Sequence, residues 1–248
     1  MWHRAPAFIA GLLATTAMLP AAAASETETG EEADTKRPPL GQDDIIREQI
    51  DFLNNEFRNY SFAFHLKGTK RIANRDWAAG RDNVTMVRSI QKDAYNTLNV
   101  FFLDTLPDPR HAGVCSLPVP ADIRKVLPWD ACLVRAGTVP GGRDQGINSG
   151  KVLVHEAGHW LGLLHPFDSF DPDTPPCDGI GDAVDDTPAA GEMWFECKPH
   201  DSCPDQPGMD PIHNHMSYTP EDCRHEFTPG QTALMHEAWR QLRTPGPK

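Results

Sequence analysis

One stretch constrains this chain more than any other. Lys151–His165 reads KVLVHEAGHWLGLLH, and its last eleven residues fit H-E-x-x-H-x-x-G-x-x-H at every fixed position: His155, Glu156, His159, Gly162 and His165. Residues four apart on a helix share a face about 5–6 Å apart, so His155 and His159 can offer two imidazoles to one zinc ion. Glu156 is turned about 100° from His155, beside the ion rather than at it, where it can hold a water and take its proton. Gly162 tolerates the backbone angles that end a helix, which lets the chain turn and bring His165 round as a third ligand. Pro166 prevents the helix from simply running on. Three neutral imidazoles leave the ion its double charge and its fourth position open to water, as in catalytic rather than structural zinc sites. The alternative is an amphipathic core helix. It would have to bury or expose His155, Glu156 and His159 beside Leu161, Leu163 and Leu164 for no return.

The first residues have a basic head at His3 and Arg4, an apolar run over Ala7–Leu19 and small residues at Ala21–Ala24. This pattern predicts a secretory signal over 1–24, cleaved near Ala24, and hence a secreted, extracellular protein. The run is too short to span a bilayer comfortably, so no membrane association is expected after cleavage. Residues 25–43 are acidic and nearly free of large apolar side chains; they are expected to form a disordered leader or short pro-segment. Residues 44–248 then make one domain, long enough to bury a real core. The net charge of −12 and the absence of basic stripes argue against nucleic-acid binding. Six cysteines, all beyond the signal, suit three disulfides in an exported chain, although six allow 15 pairings. Asn59-Tyr60-Ser61 and Asn83-Val84-Thr85 are acceptor triplets for glycosylation.

Apolar spacing predicts a helix over Asp44–Tyr60, a strand over Ser61–Lys67, a helix over Thr85–Asn96, and a buried strand over Leu98–Leu103. A short strand is expected at Asp130–Val134. Phe167–Cys223 is rich in Asp, Pro, Gly and Cys, so this irregular stretch needs covalent staples. Thr228-Pro229-Gly230-Gln231 opens a closing helix to about Leu242, with Ala233, Leu234, Ala238 and Leu242 expected on its inner side.

Downstream of the histidine motif, Asn214-His215-Met216-Ser217-Tyr218 places a methionine in a tight turn, the second mark of the metzincin proteases. HEAGHWLGLLHPF, GDAVDDTP, DPIHNHMSY and EFTPGQ together resemble the pappalysin branch, most closely its secreted fungal and bacterial metalloproteases. The likeness covers roughly Asp44–Leu242. It implies an α+β fold: an upper lobe (44–165) with a twisted mixed β-sheet plus two long helices, and an irregular, disulfide-stapled lower lobe (166–248) with a C-terminal helix. It implies zinc ligands at His155, His159 and His165, a general base at Glu156, a hydrophobic floor at Met216 and an oxyanion-stabilising hydroxyl at Tyr218. His215 and Ser217 depart from the residues usual in that turn. Family disulfides interlock first to third and second to fourth, which pairs Cys177 with Cys203 and Cys197 with Cys223 and leaves Cys115 with Cys132. Gly181–Pro188 resembles the family's calcium loop, with Asp182, Asp186, Thr187 and the Val184 carbonyl as ligands.

The activity so implied is zinc-dependent endopeptidase hydrolysis of protein or peptide substrates. A stapled binding protein without catalysis would be expected to have lost Glu156 or a histidine, and all are present. In metzincins the pocket for the residue just after the cut is walled by the zinc helix and by the chain after the Met-turn. Glu221 and Asp222 stand there, predicting a preference for Arg or Lys.

Overall fold

The computed structural model describes residues 9–16, 42–91, 95–127 and 129–244. Five strands, β1 (Ile9–Thr16), β2 (Phe64–Ile72), β3 (Thr97–Leu103), β4 (Gly113–Cys115) and β5 (Cys132–Arg135), form one mixed sheet in the order β2-β1-β3-β5-β4. β1 runs antiparallel to both neighbours, β3 and β5 are parallel, and β4 is antiparallel to β5. The helices are α1 (Gln42–Phe57), α2 (Arg75–Ala78), α3 (Asn83–Ile90), α4 (Ala121–Arg124), α5 (Lys151–Trp160) and α6 (Pro229–Ala238). The class is α+β, with the sheet and its helices in the upper part and an irregular segment between α5 and α6.

β3 shows why its sequence is a continuous apolar run. Successive side chains of a strand point to opposite faces, and both faces here are covered. Leu98, Val100 and Phe102 join the core formed with α1 and α5, including Leu53, Phe57, Leu153 and Trp160. Phe101 and Leu103 join a second core with Met86, Val87 and Leu106. Asn54 of α1 holds the Phe64 backbone of β2 at both ends, accepting its N–H at 2.6 Å and donating to its carbonyl at 2.9 Å.

Several expected elements shift. β2 begins at Phe64 and continues to Ile72. α3 ends at Ile90 rather than Asn96: Gln91 adopts φ −52° and ψ 136°, and its side chain accepts the Asp130 N–H at 3.2 Å. The inner face of α6 is Gln231, Met235 and Ala238, while Ala233 is exposed. Gln231 is buried because its amide is satisfied by Asn214 and Thr228. The centre of the stretch expected as an export signal supplies β1, the strand that joins β2 to the rest of the sheet. The acidic segment 25–41 and the cleavage position lie outside the described residues.

A wider turn, Trp239–Arg243, follows α6 and drives Arg243 into the core. Its guanidinium is fully buried. It grips both Asp130 oxygens (2.8 and 2.7 Å), the Trp160 carbonyl (3.2 and 3.0 Å) and the Tyr95 carbonyl (3.3 Å). It also lies over the Tyr95 and Trp160 rings. One cation thus ties the C-terminal segment to the last turn of α5.

Candidate active site

α5 carries the first two histidines and the glutamate. Gly162, at φ +105°, ends it. Leu163 N–H reaches the Gly158 carbonyl at 3.0 Å and Gly162 N–H reaches that of His159 at 2.9 Å, the paired bonds of a Schellman stop. The chain reverses there and delivers His165. The three Nε2 atoms converge, 3.1 Å from His155 to His159, 3.1 Å from His159 to His165 and 3.2 Å from His155 to His165. Nitrogens about 2.0–2.1 Å from a tetrahedral ion stand about 3.3 Å apart, so this triangle fits one such ion closely.

The other ring nitrogens fix the tautomers. His155 Nδ1 donates to the His215 carbonyl at 2.9 Å, His159 Nδ1 to the Leu163 carbonyl at 2.8 Å, and His165 Nδ1 to Asp168 Oδ2 at 2.7 Å. Each acceptor is an oxygen, so each Nε2 presents a lone pair to the common point. Burial, helped by the neighbouring imidazoles, holds His155 well below its ordinary pKa and lowers His159 to about 4. Both are therefore neutral, as ligation requires.

Glu156 is 4% exposed, and its Oε2 has no hydrogen-bond partner. Burial raises its pKa to about 8. The carboxyl group packs under Gly113 of β4, where an added Cβ would stand 2.3 Å from Oε1. Beneath the histidines lies Met216, fully buried, with its sulfur against Gly158. Asn214 Oδ1 accepts the Met216 N–H at 2.9 Å, and the Asn214 and Gln231 amides exchange two bonds of 2.7 and 3.2 Å. Gln231 also completes a capping box with Thr228, so the floor of the site is fastened to the start of α6. The half-buried Tyr218 packs tilted against His155 and edge-on to His165, with ring centroids 5.7 and 4.9 Å away. Burial, then the Glu156 and Asp168 charges, push its pKa to about 12. It is a phenol at neutral pH, able to donate.

A cavity of about 460 Å³ opens beside these groups, walled by Val152, His155 and Glu156 of α5, by Gly113, and by Tyr218 and Arg224. The expected carboxylates do not line it. Asp222 is exposed, and the buried Glu221 accepts the Ser149 N–H at 2.8 Å. The segment after the turn has no periodic pattern, so side-chain direction there was not legible. Asp168, Gly113, Arg224 and Arg243 were also missed. For Asp168 a signal existed: an acid three residues beyond the last histidine.

Asp182, Val184, Asp186 and Thr187 line a second cavity of about 340 Å³. Asp182 Oδ2 and Thr187 Oγ1 are buried without partners. Burial raises the Asp182 pKa to about 7. Asp186 holds the Gly230 N–H at the start of α6 at 2.8 Å. Disulfides join Cys115 to Cys132, Cys177 to Cys203 and Cys197 to Cys223. Cys197, His213 and Cys223 also cluster, but the bonded cysteines offer no thiolate to a metal.

Geometry of this kind belongs to metal-dependent peptidases, and comparison narrows the class. The pregnancy-associated plasma protein-A peptidase model matches residues 85–240. An extracellular metalloprotease of Pyricularia oryzae is 41% identical over 202 residues, covering 81% of this chain and 69% of that one. One from Arthroderma benhamiae is 38% identical over 201 residues, covering 81% and 67%. Mature mirolysin of Tannerella forsythia, solved with a cleaved peptide, matches with a TM-score of 0.55 at 19% identity, over 83% of this chain and 92% of that one, a likeness of fold. The chain belongs to the pregnancy-associated plasma protein-A family of peptidases, the pappalysins, and is a metalloendopeptidase.

Proposed function

We propose that the chain is a secreted endopeptidase that holds one zinc ion on His155, His159 and His165 and cleaves protein or peptide substrates with Glu156 as general base. The observation that carries this reading is the Nε2 triangle with every Nδ1 tied to an oxygen. Bound there, zinc would polarise the substrate carbonyl and acidify a water. Glu156, buried and without a partner of its own, takes the proton of the attacking water and passes it to the leaving amine. Tyr218 donates its hydroxyl hydrogen toward the developing oxyanion. Met216 and Gly158 keep α5 seated, and Asp168 holds His165 in the ligating tautomer. No covalent intermediate is required.

A structural calcium ion between Asp182, Asp186, Thr187 and the Val184 carbonyl is part of the same proposal. The buried Asp182 and Thr187 oxygens support it, because beyond each other they have no well-formed hydrogen-bond partner and a cation would satisfy them. Metal analysis tests both ions. Wild type should carry near-stoichiometric zinc and calcium, His159→Ala should lose most of its zinc, and Asp182→Ala should lose its calcium alone. Full zinc retention in His159→Ala would remove that residue from the ligand set, and unchanged calcium in Asp182→Ala would remove the loop.

Residues 1–24 are proposed to direct export, residues 25–43 to form a leader or pro-segment, and residues 44–248 to form the catalytic domain. The relatives' extracellular naming supports export. Cleavage near Ala24 would leave the facing edges of β2 and β3 to pair anew. Sequencing the amino terminus of the exported protein should find a start at or after Ser25. A chain still carrying Ile9–Thr16 would overturn cleavage and assign that strand to the working sheet.

A further inference from the structure

Arg224 lies on the catalytic cavity, yet nothing in the chemistry above uses it. The residue is 7% exposed. Nη1 donates to the Ser217 carbonyl at 3.3 Å, and Nε is buried with no partner. No described carboxylate forms an ion pair with the guanidinium. Burial lowers the pKa of Arg224, partly offset by the Glu221 charge. Glu221 accepts the Ser149 N–H through Oε2, while its Oε1 is buried without a hydrogen-bond partner. The backbone beneath it is anchored on both sides. Cys223 is bonded to Cys197, and Lys151 Nζ binds the Arg224 and Glu221 carbonyls. The side chain is therefore held at the cavity wall rather than swept into solvent. Arg110 and His111 share that wall, and the exposed Arg110 is paired with the half-buried Asp108. Among the described residues Glu156 is the one acid lining the cavity, and it serves the proton transfer.

A buried guanidinium with unused donors is costly unless an acceptor arrives. In a cleft that holds peptides, that acceptor belongs to the substrate. We infer that Arg224 selects an acidic side chain, Asp or Glu, at a substrate position flanking the scissile bond, through a charge-assisted pair. This is opposite in sign to the preference expected from Glu221 and Asp222, and it rests on the assignment of this cavity as the peptidase cleft.

The test uses the intact enzyme. Digesting a random peptide library locates the preferred flanking position. Matched peptides carrying Glu or Gln there then give a ratio of kcat/KM values within one enzyme preparation. Such a ratio is independent of how much of a preparation is correctly folded. The wild-type ratio should favour Glu by about 10- to 100-fold, the range of a hydrogen bond to a charged group. Arg224→Gln should bring it toward unity, and Arg224→Lys should restore part of it. An active wild type with no acidic preference, or with Arg or Lys enriched, would overturn the inference while leaving the peptidase assignment intact. An acidic preference that survives in Arg224→Gln would equally remove Arg224 from the role. If Arg224→Gln does not fold, the wild-type ratio and the Arg224→Lys ratio decide. Inactivity of the zinc-loaded wild type on every peptide would instead sink the peptidase assignment.

Discussion

Glu156→Gln should lower kcat/KM by about 10²- to 10⁴-fold, the usual contribution of a positioned general base, with zinc content and fold unchanged. The amide matches the carboxylate in size, so it fits under Gly113 and leaves His155 and His159 where they are. It cannot accept the water's proton. Burial raises the proton affinity of the Glu156 carboxylate above that of an exposed one, which makes its ionised form the stronger base. Steady-state kinetics beside metal analysis would check this. A variant that retains full activity would end the general-base assignment, and one that loses zinc would place the defect at the metal instead.

The second large effect is on stability. Arg243→Ala should destabilise the fold by about 3–5 kcal/mol, the cost of leaving one partner of a buried pair alone. Asp130 would lose both bonds to Arg243 and keep the one from the Ser116 hydroxyl, the Trp160 carbonyl would lose its donors, and the Tyr95 and Trp160 rings would lose the cation between them. Replacing both charges at once, with Asp130→Leu and Arg243→Met, should cost much less than the single change, because no orphaned ion remains. Urea unfolding of the single and double variants would measure the difference. A loss under about 1 kcal/mol in the single variant would show that water reaches the site and screens the pair.

Some of this was legible in the residues and some was not. The catalytic helix was readable because its chemistry is local: two histidines and a glutamate within five residues, then a glycine stop. β3 was readable because burial on both faces erases alternation. Arg243 was not, because a charge near a chain end reads as solvated, and only the wider turn after α6 swings it inward. Gln231 was read as a cap; that it is also core depends on Asn214, a partner outside its own helix. The sign of charge at the cleft depended on side-chain direction in a segment with no period. There Arg224, rather than Glu221 or Asp222, reached the cavity. Ile9–Thr16 shows a different limit, since an apolar run that suits export also pairs readily as a strand.

The two lower bridges have a topological consequence. Their spans overlap, Cys177 to Cys203 and Cys197 to Cys223, so every backbone bond between residues 177 and 223 is enclosed by at least one of them. This is also the stretch where Met193 and Phe195 stand exposed. A single break anywhere in it releases no fragment. The severed ends stay tethered, and the Met-turn, which lies inside the second loop, keeps its covalent link to the histidine helix. With both bridges intact the severed ends stay joined, and they part only when a reductant opens the bridge that encloses the break.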